Sequence, residues 1–502
     1  MSYHGAYFAN VIPFSSKYMD QGKFGRIFGN LPPCCPKTTK VENALKDMGK
    51  KGGIMDAGDD PAKTAAELIT DLSAQQHNPN SPVMPAGMTF LGQFIDHDLT
   101  FDPTSSFERQ VDPEYVANFR TPTLSLDNVY GSGPGASPHL YDQQDGLGGI
   151  KFLIEGSGIK NKEGIAKFDL PRNSQNTALI GDPRNDENLI VSQLHLAFLL
   201  FHNKITDHLH AKFPSKSPSS LFQEAQELVR WHYQWIVLHE FLPLLCGADT
   251  VNDCLNKGRR FYHWNNEPFI PVEFSVAAYR FGHSQIRPSY RANFGNSSEA
   301  TPQPFFARIF DHTLGNTADP DDLRGGKRAN RRFIDWGTFF NFQDGSMRPN
   351  KLIDTKLSSP LFDLLGFAPG DIVSLAQRNL LRGVTFNLPA GQRVAHAMKL
   401  PVLAPDVFDN LKHYKTDFEN NTPLWYYILR EAEVQQMGVR LGAVGSTIVT
   451  EVFIGLLEGD KQSYLVQNPF WKPTLPCFEG YRNGKDFTIA DLIKIAEGTT
   501  LL

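Results

Sequence analysis

Apolar residues recur at every third or fourth position through most of this chain from Pro85 onward, the spacing of helices with one face turned to an interior. Phe90, Phe94, His97 and Phe101 follow it, as do Leu194, Phe198, Phe201, Ile205 and Leu209 within the run from Leu189 to Leu209. A second long amphipathic run spans Leu221 to Leu245, and shorter helical patterns lie near 273–281, 372–381, 424–437, 441–457 and 489–496. Alternation of apolar and polar residues is rare, so short strands are expected only near 150–170. The first 80 residues read differently. Pro32-Pro33-Cys34-Cys35-Pro36, Lys50-Lys51-Gly52-Gly53 and Gly58-Asp59-Asp60-Pro61 are turn and loop chemistry. The pattern predicts a mainly α protein, with an accessory segment over 1–80 and one large helical domain over 81–502.

Composition leaves room for a large core. The chain has 502 residues, 41% of them hydrophobic, and its 37 phenylalanines imply a voluminous interior that could also house a flat, apolar cofactor. A net charge of -5 offers no basis for a nucleic-acid partner. The five cysteines lack any CxxC spacing, which argues against a zinc site or a disulfide framework and fits a reducing compartment. The start lacks a basic stretch followed by an apolar one, and no uncharged apolar run reaches about 18 residues. A cytoplasmic chain without an integral membrane segment is therefore expected. GxSxG, HExxH and Walker A patterns are absent; after His239-Glu240, Pro243 stands where a zinc-binding helix needs its second histidine.

Four segments carry the candidate chemistry. In Leu91-Gly92-Gln93-Phe94-Ile95-Asp96-His97-Asp98, helical spacing puts Gln93, Asp96 and His97 on one face, with Asp98 turned about 100° from His97. Burying these groups costs several kcal/mol unless a cofactor, metal or ordered water satisfies them. A lone histidine there would read as a hydrogen-bonded core residue; its polar neighbours favour a ligand. In Ile180-Gly181-Asp182-Pro183-Arg184-Asn185-Asp186-Glu187-Asn188, just before the helix at 189–209, Arg184 and Glu187 taken alone are helix-terminal surface charges. Ala278-Tyr279-Arg280-Phe281-Gly282-His283-Ser284 ends an apolar helix in a glycine and a histidine, and His283 by itself reads equally as structural or as a metal ligand. From Arg120 to Gly131, oxygen-bearing residues recur at every second position. That spacing fits a Ser/Thr-rich turn or a hard cation, and Asp98 as an added carboxylate favours the cation.

Taken together, these segments resemble the animal-type haem peroxidases of the peroxidase–cyclooxygenase superfamily, with their motifs in the family's order from about Met84 to Glu451. The resemblance implies a helical fold around a buried haem b. It makes His97 the distal histidine, Gln93 its partner in a distal water network, Arg184 the distal arginine and His283 the proximal iron ligand, with Arg280 near a haem propionate. It also implies calcium held by Asp98, Thr121, Thr123, Ser125 and Asp127, although Ser125 and Asp127 stand exchanged relative to the mammalian pattern. Asp96 and Glu187 occupy the positions that form ester bonds to haem in mammalian members, whereas Asn188 replaces the methionine of a third linkage and excludes it. For the amide that hydrogen-bonds the proximal histidine, Gln392 falls at the matching spacing, and Asn387 is the alternative.

The chemistry of these residue types agrees. A haem iron with one axial imidazole keeps a position open for peroxide. Cleaving the O–O bond heterolytically needs a base that moves a proton from one oxygen to the other, which a neutral histidine near pH 7 provides. A fixed guanidinium stabilises the departing hydroxide. The leading expectation is a peroxidase that reduces hydrogen peroxide or a hydroperoxide and oxidises a small organic donor or a halide. A haem fatty-acid dioxygenase is the alternative. Such oxygenases place a tyrosine three residues before the proximal histidine, where this chain has Arg280; Tyr279 lies one further back. A non-enzymatic haem-binding or adhesion module is disfavoured by the joint presence of His97, Arg184 and His283.

Overall fold

The apolar stripes become helices wherever a second helix lies against them. In the computed structural model, residues 24–100, 120–265, 267–314, 319–326, 329–477 and 486–498 are described. Helix α1 spans Thr39–Met48 and α2 spans Ala86–Leu99. Helix α2 is buried on almost every side, including His97 and Asp98, and so runs through the interior. Its N-cap, Pro85, has no side chain to bond the first amides; the N–H groups of Ala86 and Gly87 donate instead to the carbonyls of Arg348 and Phe339 at 2.9 and 2.8 Å. A Cβ at Gly87 would stand 2.5 Å from the Phe340 ring, so only glycine lets the helix start this deep.

Helix α3, Leu189–Lys212, begins at Asn188, whose side chain accepts the N–H of Val191 at 2.9 Å. It packs on α2 through stacked Phe94 and Phe198, with centroids 4.6 Å apart, and on α4, Pro218–Ile236. The long run to Leu245 is not one regular helix. After α4 comes a π turn, Val237–Phe241, and then an α turn, Leu242–Cys246. Pro243 explains the change: it has no N–H for the ladder, and a local π turn absorbs the misfit.

Helices α5 (Ala248–Lys257), α6 (Leu375–Thr385), α7 (Gly391–Ala397), α8 (Leu424–Gln436), α9 (Ala443–Gly459) and α10 (Ile489–Ala496) complete the longer elements. Helix α9 is buried over most of its length and contacts α5, α7 and α8. The segment expected as a helix near 273–281 is broken into a π turn (Glu273–Ala277), a 3₁₀ turn (Ala278–Phe281) and an α turn (Gly282–Gln285). Ala277, at φ -128° and ψ -72°, leaves helical geometry at the break.

Strands are short. Glu155–Lys160 (β3) and Ala166–Asp169 (β4) pair antiparallel, where strands were expected. Three further two-stranded ladders carry no alternation that could announce them: Phe24–Gly25 (β1) on Ile270–Pro271 (β5), Asn80–Pro85 (β2) on Pro349–Lys351 (β8), and Ser289–Arg291 (β6) on Phe306–Arg308 (β7). Of the first 80 residues, those from Phe24 onward lie against the helical body. The Glu273 carboxylate accepts the N–H groups of Ile27 and Phe28, each at 3.0 Å, and α1 packs on α6. Among the described residues, no helix is long and apolar enough to cross a membrane.

Candidate active site

A cavity of about 1080 Å³ opens between α2, the turn before α3, the broken helix at 273–285 and α6. His97, Arg184 and His283 all line it, as do Gln93, Asp96, Glu187 and Arg280. Segments almost 190 residues apart in sequence therefore meet around one space.

Each group is held by its own element. His97 projects from α2, and its Nδ1 lies 2.7 Å from Oδ1 of Asn185. Gln93, one helical turn earlier, accepts from Asn188 Nδ2 at 3.2 Å. Arg184 sits in a 3₁₀ turn, Pro183–Asp186, capped by Asp182. Its Nη2 donates to the backbone carbonyls of His97 (3.0 Å) and Thr100 (2.5 Å) and to Asp182 Oδ2 (2.8 Å). Asp182 is fully buried and also accepts from Arg120 at 2.7 Å. Burial alone would raise its carboxyl pKa, but Arg184 and Arg120 hold it well below the usual carboxylate range. Burial likewise opposes the Arg184 charge, and Asp182 more than offsets this, raising the guanidinium pKa. The turn lies so close to the 120–131 segment that a Cβ at Gly181 would stand 2.5 Å from the Asn128 carbonyl oxygen.

Asp96 and Glu187 face the same cavity. Burial raises both carboxyls, Glu187 to about 8, against the pull of Arg184. Asn379 of α6, which also lines the cavity, brings its side-chain amide within 2.7 Å of His283 Nδ1. The same Asn379 accepts from Arg280 Nη1 at 3.3 Å, and Arg280 Nε donates to Ser275 O at 2.9 Å. Gln392 does not take the expected place beside His283; it bonds Thr422 Oγ1 (2.7 Å) and the Glu419 carbonyl (3.3 Å). Asn387, at φ 51°, lies in the turn after α6. The correction has a simple cause. The broken helix carrying His283 packs against the body of α6, whereas Gln392 sits one helix further on, in α7.

Asn379, Asn185 and Asp182 were not singled out from sequence. The usable signal was an asparagine or aspartate inside an apolar pattern, where an unpaired polar group is costly. Arg378 and Arg382, one turn apart on α6, also line the cavity. With Arg280 they gather three cations on one side; burial and Arg280 lower the Arg378 pKa to about 10. Such a cluster fits carboxylate groups at the edge of a bound cofactor.

The second constellation lies behind α2. Asp98 is fully buried, and its Oδ2 accepts from Leu126 N at 3.1 Å and from Tyr233 OH at 3.3 Å. Its Oδ1 is buried without a hydrogen-bond partner, and so is Ser125 Oγ. Burial and then the Asp127 charge push the Asp98 carboxyl up to about 8. Thr121, Thr123, Ser125 and Asp127 all lie on the loop whose backbone bonds Asp98, with Leu126 in the left-handed region at φ 61°. An orphaned oxygen of Asp98, an orphaned Ser125 hydroxyl and the nearby Asp127 carboxylate fit a hard cation, which would satisfy and neutralise them together. Among the described residues, no group of three or more His, Cys, Asp or Glu could hold a metal, so such a site must draw on hydroxyl and carbonyl oxygens.

Comparison with known proteins bears on this geometry. The family model for the animal haem peroxidase matches residues 106–323. A chorion peroxidase of Drosophila melanogaster is 26% identical over 309 residues, covering 57% of this chain and 35% of its own. The chain thus spans about a third of that relative's length. Among solved structures, peroxidase A of Dictyostelium discoideum superposes with a TM-score of 0.59 at 16% identity, covering 95% of this chain and 93% of that one. A fatty acid alpha-dioxygenase of Oryza sativa gives a TM-score of 0.54 at 15% identity, covering 88% and 78%. These two likenesses are likenesses of fold.

Proposed function

We propose that the chain is a member of the animal haem peroxidases of the peroxidase–cyclooxygenase superfamily and acts as a haem-dependent peroxidase, reducing hydrogen peroxide or an organic hydroperoxide and oxidising a small organic donor or a halide; the family-model match over residues 106–323 and the chorion peroxidase relative support this reading. The observation that carries this reading is that His97, Arg184 and His283 all line one cavity. His283 would hold the haem iron, with Asn379 orienting its imidazole, and Arg280, Arg378 and Arg382 would receive the propionates. Bound there, haem supplies the electrons that the peroxide O–O bond accepts. With peroxide in the cavity, His97 would take a proton from one peroxide oxygen and return it to the other, which departs as water. Arg184, held rigid by Asp182, stabilises the negative charge on that oxygen without reorganising. Calcium on Asp98 and the 121–127 loop would brace α2 and with it His97.

The dioxygenase reading needs a tyrosine able to give up its hydroxyl hydrogen to the oxidised cofactor. Tyr279 lines the cavity, but its hydroxyl donates to the Gly92 carbonyl at 3.1 Å, and burial keeps its pKa well above the ordinary value. A carbonyl is a poor acceptor for a departing proton, which favours peroxidase chemistry. The test is one haem-loaded preparation assayed two ways. Peroxide-dependent oxidation of a phenol without oxygen uptake on linoleate supports the proposal; oxygen uptake without peroxide turnover overturns it.

A further inference from the structure

His97 does not stand alone on its buried side. Asn185 lies between two histidines: its Oδ1 is 2.7 Å from Nδ1 of His97, and its Nδ2 is 2.9 Å from Nδ1 of His195. Asn185 and His195 are both fully buried. His195 comes from the second turn of α3, which also packs on α2, so the chain of three side chains ties together the turn carrying Arg184, the helix carrying His97 and the helix behind both.

The amide makes this a device for choosing a tautomer. A carbonyl oxygen only accepts, so Oδ1 facing His97 requires hydrogen on Nδ1 and leaves Nε2 with a lone pair. An amide N–H only donates, so His195 must present a bare Nδ1, with its own hydrogen on Nε2. Turning the amide by half a rotation would reverse both histidines at once. His97 would then carry hydrogen on Nε2, and a ring in that state cannot take a proton from peroxide. His195 Nε2 is buried with no hydrogen-bond partner, and burial keeps His195 neutral, its pKa lowered to about 3. A neutral ring can accept from the amide, whereas an imidazolium could not. Phe94 presents its ring edge-on to His195 at 6.2 Å and fills the space where a competing polar group would stand.

We infer that Asn185 is a positioning residue that fixes His97 in its proton-accepting tautomer, and that His195 accepts the Asn185 amide N–H and so seats the amide between the two rings. The inference rests on the peroxidase reading for its consequence, but not for its first test. Nitrogen-15 NMR of histidine-labelled, haem-loaded protein in the diamagnetic ferrous carbonyl state distinguishes a protonated ring nitrogen from a bare one, with His97 assigned by its loss in His97→Gln. Hydrogen on Nδ1 of His97 and on Nε2 of His195 is expected in the parent protein. Asn185→Ala should mix the His97 tautomers and slow the reaction with peroxide about tenfold or more, a part of the ~10²–10⁴ that a general base supplies. Asn185→Asp should restore both, because a carboxylate accepts from Nδ1 whichever way it is turned. His195→Phe should mix the tautomers while leaving the haem bound. Hydrogen on Nε2 of His97 in the parent protein overturns the inference, as does an Asn185→Ala protein with unchanged tautomer and rate. A parent protein inert to peroxide, yet with hydrogen on Nδ1 of His97, would sink the peroxidase reading and leave this one standing.

Discussion

Asp182 grips Arg184 through both of its oxygens: Oδ1 accepts from the Arg184 backbone N–H at 2.9 Å and from Nε at 3.1 Å, while Oδ2 accepts from Nη2 at 2.8 Å. The same Oδ2 accepts from Arg120, which leads into the loop that bonds Asp98. The guanidinium facing the cavity and the oxygen-rich loop behind α2 are thus two ends of one buried network. Removing Asp182 leaves two cations without their common partner. Asp182→Ala is expected to destabilise the fold by ~3–5 kcal/mol, as for a broken buried ion pair, read from denaturant unfolding. Asp182→Asn should cost less stability, yet slow the reaction with peroxide by loosening Arg184. Equal stability of the Ala variant and the parent would contradict the network.

His283→Ala should lose most of its haem, or bind it with an absorption spectrum lacking the imidazole signature. Asn379→Ala should keep haem with a shifted spectrum, because Nδ1 of His283 loses its neighbour. Gln392→Ala should leave the spectrum unchanged, since that side chain bonds Thr422 and Glu419. A spectral change confined to Gln392→Ala would restore the assignment made from spacing.

Calcium should raise the melting temperature of the parent protein and leave that of Asp98→Ala unmoved. A ligand at a hundred times its dissociation constant stabilises by ~2.7 kcal/mol, enough to resolve in a thermal melt. Prolonged chelation should reproduce the Asp98→Ala behaviour in the parent. Absence of any calcium effect on the parent would remove the site.

Stability should fall as pH drops from about 6.5 toward 4. His202 and His232 are buried, and burial lowers both pKa values to about 4. Between 4 and the ordinary histidine value the unfolded chain binds more protons than the folded one, so stability rises with pH across this window and is lost on acidification. Burial keeps His202 neutral against the opposing pull of the Ile150 carbonyl, 3.0 Å from Nε2, and Nδ1 meets Tyr130 OH at 3.1 Å. His202→Gln should flatten the dependence of unfolding free energy on pH by up to ~1.4 kcal/mol per pH unit. An unchanged slope would show that His202 is not among the groups taking up protons.

Ester linkage to haem should follow peroxide turnover and depend on Asp96 more than on Glu187. Both line the cavity and burial raises both carboxyls, Glu187 to about 8, while Glu187 also lies beside the start of α3, where stabilisation by the helix dipole competes with bonding to haem. Denaturing chromatography after peroxide treatment reads the outcome. Retention of haem by the parent and by Glu187→Ala, but not by Asp96→Ala, is expected. Full release of haem from the parent would show that neither carboxylate bonds it.

Much of the architecture is local in origin and was therefore legible along the chain. The stripes from Leu189 and from Leu424, and the pattern at 489–496, became helices with ends close to those expected, because apolar periodicity and side-chain caps such as Asn188 and Thr488 act over a few residues. His97 was likewise visible as a polar group in apolar surroundings, Arg184 and His283 only through the family resemblance, and the structure brings all three to one cavity. Whatever depended on contacts between distant segments was not legible. Spacing within one segment pointed to Gln392, but the packing of α6 against the broken helix decided for Asn379. Asn185 acquires its meaning only from His97, 88 residues away, and from the turn of α3 that brings His195 behind it. Asp182 similarly looks like a helix cap until Arg120 reaches it. Sequence determined which residues carry charge, which carry lone pairs and which faces must be buried. Tertiary structure alone decided which buried donor meets which acceptor, because a hydrogen bond is set by a few tenths of an ångström between groups that the chain brings together only when the whole core has closed.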